Sequence, residues 1–174
     1  MIIQKLWPTT VYRFTFDQNI CNMLHASIIS YSAQDIPPED MNKQGLFNII
    51  ADAIKVLGTV DIADVWIRET VVSSNNNFEI HSDSHKGTDL IGILWLTGNE
   101  NCGGDIVLYD PAWRNPQRMR YENQQQYNIK QQFNFKIGEL ILFPSNVWHE
   151  VTSYYGTEKR ISLNFAINID GLNN

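Results

Sequence analysis

The chain has 174 residues, of which 43% are hydrophobic and 18% are charged, and this size and composition are typical of one globular domain. Thirteen Lys and Arg against nineteen Asp and Glu give a formal net charge of −6 at pH 7. No global positive charge therefore attracts nucleic acid or an anionic membrane surface. Five Trp, seven Tyr and eight Phe supply enough large groups for a packed core, which argues against an intrinsically disordered chain.

The cysteines and the apolar runs indicate the compartment. Cys21 and Cys102 are the only two cysteines, so a four-thiolate metal site is excluded. The longest apolar run, 90–96, is far shorter than the roughly 18 residues that a membrane span needs. The first residues show no secretory signal pattern. We therefore expect a cytoplasmic protein that has no membrane partner.

The first 60 residues combine strand-like and helical patterns. Segments 2–6 and 11–16 are strand-like, with Pro8 between them. Asp17 is a candidate N-cap for a helix whose apolar residues recur at spacings of three and four. These residues are Ile20, Met23, Leu24, Ile28 and Tyr31. A second amphipathic helix is predicted over 45–57, followed by Gly58.

Beyond Asp61 the apolar period changes from about 3.6 to about 2, which is typical of strands. Eight strand-like segments follow, at 62–72, 78–83, 90–97, 105–109, 127–135, 139–143, 147–154 and 160–169. Because no helix intervenes, the pattern predicts a mainly β fold (α+β) with N-terminal helices and a jelly-roll core, the double-stranded β-helix of cupin-like proteins. We expect a single domain over 1–174, with N-terminal strands and supporting helices in 1–60 and the jelly-roll core in 61–170.

Three side chains form a candidate metal site. His81 and Asp83 lie two residues apart in a predicted strand, and alternate strand residues point to the same side. His149 lies in another predicted strand, just after a Pro-Ser-Asn turn. Two histidines and one carboxylate are the ligand set of mononuclear non-haem Fe(II) oxygenases, and such a set leaves coordination positions open. The pattern therefore predicts iron chemistry at these three residues.

Arg160 and Ser162 repeat the same spacing on the last predicted strand. A guanidinium offers a rigid fork of donors that fits a carboxylate, and a serine hydroxyl adds another donor. The pair suits the distal carboxylate of a dicarboxylic acid whose other end chelates the metal. Because this strand is expected near the middle of a sheet, its arginine needs an anionic partner.

Other chemistry-bearing residues have simpler interpretations. His85 has the parity of His81 but lies beside Lys86 and Gly87, which favours a loop, and His25 falls within a predicted helix. Trp66, Trp95 and Trp148 are expected to be core aromatics. Segment 111–136 is basic and contains aromatic residues. It is either a solvated connection and exposed strand face or a flap that contacts the substrate.

At these motifs the chain resembles the superfamily of Fe(II)- and 2-oxoglutarate-dependent oxygenases, in the branch similar to prolyl 4-hydroxylases. The likeness covers essentially the whole chain, including an opening segment at 6–12. It is most specific at His81-Ser82-Asp83, Gly103-Gly104-Asp105-Ile106, the segment 138–144, His149 and Arg160-Ile161-Ser162. One departure is Trp95, which stands where related hydroxylases usually carry a tyrosine that binds the cosubstrate.

The resemblance implies that His81, Asp83 and His149 bind Fe(II), while Arg160 and Ser162, with Trp95 as a further candidate, contact 2-oxoglutarate. It also implies an enzyme that consumes dioxygen and 2-oxoglutarate, releases succinate and CO2, and hydroxylates a peptidyl residue (prolyl is favoured) or a free amino acid. Two alternatives stay open: oxidative demethylation of a nucleobase, which the acidic net charge disfavours, and a non-catalytic metal-binding jelly roll. The second has no need of the Arg160 and Ser162 pair.

Overall fold

The computed structural model describes residues 1–6, 9–29, 45–70, 78–84, 87–112 and 129–170. Within them the helices are α1 (Gln18–Ile28) and α2 (Leu46–Ile54), and a 3-10 turn (Lys55–Leu57) follows α2. The strands are β1 (Ile2–Leu6), β2 (Thr9–Thr15), β3 (Thr59–Thr70), β4 (Phe78–His81), β5 (Leu90–Thr97), β6 (Ile106–Tyr109), β7 (Lys130–Phe133), β8 (Glu139–Pro144), β9 (His149–Val151) and β10 (Arg160–Asp170).

The strands form two antiparallel sheets. The larger sheet has six strands in the order β1-β2-β8-β5-β10-β3, and the smaller has four in the order β4-β9-β6-β7. Strand β10 pairs with both β5 and β3, so the predicted interior position of the last strand is confirmed. Strand β3 lies at the edge of the larger sheet, where its inward face borders the space between the sheets.

Two apolar clusters hold these layers together. One lies between the helices and the outer face of the larger sheet, and it includes Leu24 of α1, Ile50 of α2 and Phe165 of β10. The other lies between the sheets and includes Trp95 of β5 and Phe143 of β8. Because side chains alternate along a strand, β5 and β10 supply both clusters. Burial of these side chains supplies the main driving force for the fold.

Helix α1 follows its sequence signals closely. The Asp17 carboxylate accepts a hydrogen bond from the Ile20 backbone N–H at 2.9 Å, which satisfies one of the free amides of the first turn. The apolar face buries Cys21, Leu24 and Ile28. Tyr31, which was also expected on this face, lies outside the described residues. None of the helices in the described part of the chain is long and apolar enough to cross a membrane.

The mainly β fold with N-terminal helices is confirmed, and each of the eight strands expected after Asp61 has its counterpart in β3–β10. The jelly-roll class is confirmed as well. Strand β2 pairs with β8 and so extends the larger sheet at its edge with the N-terminal strands. The structure corrects two details. Strand β4 ends at His81, before Asp83, and β9 spans only His149–Val151 instead of 147–154.

Several expectations are not decided by the described residues. His85, Trp7, Pro8 and most of segment 111–136 lie outside them. Of the basic residues in that segment, Lys130 on β7 and Lys136 are described. The single domain over 1–174 stays a prediction.

Candidate active site

The two histidines meet where the smaller sheet pairs its shortest strands. His81 ends β4 and His149 begins β9, and they are direct cross-strand partners. Their ring centroids are 4.3 Å apart. The His149 ring also packs at 5.0 Å against the ring of Phe143, which comes from the larger sheet. This packing leaves the His149 side chain buried, whereas His81 is half-buried.

Both histidines use the same ring nitrogen to contact the backbone. His81 Nδ1 lies 2.8 Å from the Glu79 carbonyl, and His149 Nδ1 lies 3.0 Å from the Val147 carbonyl. Because a carbonyl oxygen only accepts, these contacts assign the proton to Nδ1 and leave Nε2 with a free lone pair. Burial lowers the pKa of His149 to about 4. His149 is therefore a neutral imidazole at pH 7, which is the form that binds a metal.

Asp83 reaches the same point from a loop. Its backbone N–H donates to the Ser145 carbonyl at 3.0 Å, which fixes the loop against the turn between β8 and β9. The Ser145 hydroxyl donates in turn to the Thr88 carbonyl. Asp83 is 7% exposed, and its Oδ2 lies 3.6 Å from His149 Nε2. Asp83 was predicted to lie on the same strand as His81, which is wrong: the strand ends at His81, and the backbone of Asp83 is held by Ser145 instead.

These three residues form a group able to hold a metal ion. One ligand atom from each of His81, Asp83 and His149 lies within 4.8 Å of the others. The donor set is two imidazole nitrogens and one carboxylate, which suits Fe(II) in a site that keeps positions open. The residues present therefore fit such an ion.

Arg160 lies on the facing sheet at the start of β10 and is only 2% exposed. Its Nη1 donates to the Thr70 hydroxyl at 3.3 Å, and its guanidinium lies 5.5 Å from the centre of the Phe135 ring. Its Nε has no hydrogen-bond partner among the described residues. Burial lowers the pKa of Arg160 to about 10, so it remains a cation at pH 7. A buried cation with an unsatisfied N–H favours an anionic ligand.

Gly104 provides the space that Arg160 occupies. The φ angle of Gly104 is 75°, in the left-handed region that favours glycine. A Cβ at this position would lie 2.7 Å from Cδ and Nε of Arg160. Gly104 is therefore required for two reasons: it allows the turn, and it leaves space for the Arg160 side chain.

One cavity brings these groups together. It has an empty volume of about 530 Å³, open side included. Its lining includes His81, Asp83, His149, Arg160 and Ser162, five of the six residues singled out by sequence. The apolar part of the lining comes from Ile91, Ile93 and Val151, and its other members are Trp66, Arg68 and Asn164.

Trp95 lies beside this cavity without lining it. It is the cross-strand neighbour of Ser162 and is fully buried. Its ring contacts Phe135 edge-on with centroids 5.9 Å apart, as expected for a core aromatic. Its indole Nε1 has no hydrogen-bond partner among the described residues. A contact between Trp95 and a cosubstrate stays a prediction.

Sequence reasoning missed the contribution of β3 and Asn164. Asn164 lies one alternation beyond Ser162 on β10, and its side-chain amide donates to the Ser162 hydroxyl at 3.3 Å. On β3, Trp66 pairs with Asn164 and Arg68 pairs with Ser162. The alternation of residues 66, 68 and 70 was available as a signal. It gave no sign of which face of β3 borders the cavity, because the pairing of β3 with β10 is a long-range contact.

Comparison with solved structures shows the same fold. The structure of HygX from Streptomyces hygroscopicus with nickel and 2-oxoglutarate bound is 9% identical, with a TM-score of 0.62, and the match covers 94% of this chain and 83% of that one. EctD from S. alaskensis in its apoform is 14% identical, with a TM-score of 0.66 and coverages of 91% and 72%. The viral collagen prolyl hydroxylase vCPH from Paramecium Bursaria Chlorella virus-1 is 14% identical, with a TM-score of 0.56 and coverages of 91% and 89%.

Comparison of sequences identifies the family. No curated protein matches the sequence. Residues 64–166, more than half of the chain, match the model of a family whose description is "Putative 2OG-Fe(II) oxygenase". The matched region contains all three candidate metal ligands together with Arg160 and Ser162. Members of this family use Fe(II) and 2-oxoglutarate. The chain therefore belongs to the 2OG-Fe(II) oxygenase family and is an enzyme of that class.

Proposed function

We propose that the chain hydroxylates an unactivated C–H bond of a peptidyl residue or a free amino acid, with His81, Asp83 and His149 as the ligands of Fe(II). The observation that carries this proposal is the single cavity that the His-Asp-His group shares with a buried arginine. A jelly roll that only bound a metal would not need a buried arginine beside the metal site. The choice of an amino-acid substrate follows from the resemblance to prolyl 4-hydroxylases.

In this proposal Arg160 and Ser162 hold the distal carboxylate of 2-oxoglutarate. A carboxylate at this position gives Arg160 Nε an acceptor and offsets the cost of burying the guanidinium. The Thr70 hydroxyl, which accepts from Nη1, restricts the orientation of the guanidinium. The contact between Asn164 and the Ser162 hydroxyl fixes that second donor beside it.

When bound, Fe(II) and 2-oxoglutarate supply the oxidation of a C–H bond by dioxygen, with succinate and CO2 as products. The protein orients the reactants and limits the access of water. The backbone carbonyls of Glu79 and Val147 hold the two imidazole rings in orientation through Nδ1. Ile91 and Ile93 line the cavity with buried apolar side chains, which strengthens the polar contacts made there.

Anaerobic titration tests the cofactor part of this proposal. Fe(II) followed by 2-oxoglutarate should produce the weak visible charge-transfer band of the chelate in folded protein. Arg160→Gln should weaken 2-oxoglutarate binding by about 2 kcal/mol or more, because it removes one partner of a buried charged pair, while leaving metal binding in place. A folded wild-type protein without the band, or an Arg160→Gln protein that binds 2-oxoglutarate normally, would contradict the assignment.

Succinate release tests the substrate. Wild-type enzyme should release succinate faster with proline-containing peptides or free amino acids than without any substrate. Methylated oligonucleotides should give no stimulation, because the chain is acidic overall. Stimulation by the oligonucleotides alone would replace the proposed hydroxylation by oxidative demethylation.

A further inference from the structure

Two arginines line the cavity and differ in exposure. Arg160 belongs to β10 in the interior of the larger sheet and is buried, whereas Arg68 belongs to the edge strand β3 and is exposed. Arg68 is the cross-strand partner of Ser162, so the two side chains share the inward face of the sheet. Of the two arginines, Arg68 is therefore the one that is accessible to a second ligand.

The formal charges of the residues that line the cavity favour an anionic ligand. Among the described residues that line it, Arg68 and Arg160 carry guanidinium groups and Asp83 carries the carboxylate. Fe(II) and the dianion of 2-oxoglutarate bring opposite charges of equal size. Loading both therefore leaves the excess of positive charge from these residues in place, in a chain with a net charge of −6. An anionic group near Arg68 would reduce this excess.

Trp66 adds an apolar surface next to this charge. It lies two residues before Arg68 on the same face of β3, pairs with Asn164 and is half-buried in the lining of the cavity. An exposed guanidinium beside a flat aromatic ring suits a carboxylate attached to an apolar group. Arg68 also interacts with other groups of the chain. Its five N–H donors allow it to bind a carboxylate in addition.

We propose that Arg68 binds a carboxylate of the substrate while Trp66 packs against the apolar group next to it. The substrate class is then a carboxylate-bearing amino acid or amino-acid derivative. This inference rests on the proposed function, because that function assigns the buried Arg160 to the binding of 2-oxoglutarate. It adds a second anion site in the same cavity, with a different ligand.

The test compares matched probes on protein that cannot turn over. Protein loaded with Ni(II) and 2-oxoglutarate is titrated calorimetrically with a panel of N-acetylated amino acids and with their primary amides. At least one acid of the panel should bind more tightly than its amide. Arg68→Gln should weaken binding of that acid by about ten- to a hundredfold, as expected for loss of a charge-assisted hydrogen bond, and should leave the amide unchanged.

Arg13→Gln is the matched control. Arg13 pairs with Glu139 and does not line this cavity, so the control removes the same charge while leaving probe binding at the wild-type level. Trp66→Ala should weaken binding of acid and amide alike. If no acid binds better than its amide, or if Arg68→Gln binds the preferred acid like wild type, the inference is overturned. Binding of a methylated oligonucleotide that depends on Arg68 would overturn the substrate class as well.

The binding of Ni(II) and 2-oxoglutarate itself separates this inference from the proposed function. Arg68→Gln should bind both as wild type does, because Arg160 holds the cosubstrate. If wild-type protein fails to bind them, the proposed function fails. If it binds them and probe binding is independent of Arg68, only the inference about the substrate fails.

Discussion

His81 and His149 are cross-strand partners whose ring centroids lie 4.3 Å apart. The strands that pair them are short: β4 has 4 residues and β9 has 3. Each imidazole directs Nδ1 to a backbone carbonyl two residues earlier in its own chain segment. The same local arrangement thus occurs twice, and it leaves both Nε2 atoms available next to Asp83. Strand pairing and a repeated backbone contact therefore fix the orientation of both rings in the candidate metal site.

The first prediction concerns the metal ligands. His81→Ala should lower the affinity for Ni(II) or Co(II) by at least about a hundredfold. Loss of a residue that only hydrogen-bonds to a metal ligand already lowers metal affinity by up to about a hundredfold, and loss of the ligand itself should cost no less. The fold should survive, because His81 is half-buried at the end of a strand. His25→Ala, in α1, is the matched control and should bind metal normally. Equal affinities in the two variants, measured by calorimetry, would exclude His81 as a ligand.

A second prediction tests the space beside Arg160. Gly104→Ala should place a Cβ 2.7 Å from Arg160 Cδ and Nε and displace the guanidinium, since the side chain is flexible. Affinity for 2-oxoglutarate should fall by about tenfold, and the positive φ should cost about 1–2 kcal/mol of unfolding free energy. Gly45→Ala has a similar φ of 69° and meets no described atom within 4 Å. It should lose stability without losing affinity, and an equal loss of affinity would contradict the steric explanation.

The third prediction concerns Ser145 as a positioning residue for Asp83. Ser145→Ala removes the hydroxyl that donates to the Thr88 carbonyl and loosens the turn that receives the Asp83 N–H. Metal affinity should fall by about tenfold, and the visible spectrum of the Co(II) protein should change. Ser145→Thr keeps the hydroxyl and should restore both.

Ser27→Ala supplies the matched control for this prediction. Its hydroxyl also donates to a backbone carbonyl, that of Met23 in α1, far from Asp83 in sequence. Ser27→Ala should leave metal affinity and the Co(II) spectrum unchanged. A Ser145→Ala protein with the wild-type spectrum would show that Ser145 has no influence on the ligand.

The fourth prediction is the pH dependence of the metal-free protein. Burial lowers the pKa of His149 to about 4 from its ordinary value of 6.5. As the pH falls from 6.5 towards 4, this residue becomes protonated in the unfolded chain but stays neutral in the folded chain. The free energy of unfolding therefore decreases. The decrease from this residue is at most about 3 kcal/mol. Urea unfolding in a chelator, compared between wild type and His149→Gln, measures it. An identical pH dependence in the two proteins would contradict the assigned shift.

Most of the candidate site was visible in local patterns. Period-two alternation marked the strands that carry His81, His149, Arg160 and Ser162, because a half-buried strand must alternate its faces. The chemistry of the two histidines then indicated a bound metal, and that of Arg160 and Ser162 indicated a bound carboxylate. The strand placement of Asp83 was wrong, since its position depends on the contact of its N–H with Ser145.

The sequence by itself determined the helices, the eight later strands and the residues of the candidate metal site, since these depend on the order of neighbouring side chains along the chain. Only the tertiary structure decided that β3 borders the cavity, that Trp66 and Arg68 line it, and that Trp95 lies beside it. The register between β3 and β10 and the packing of one sheet on the other decide those positions. They are long-range contacts, for which alternation along a single strand carries no information.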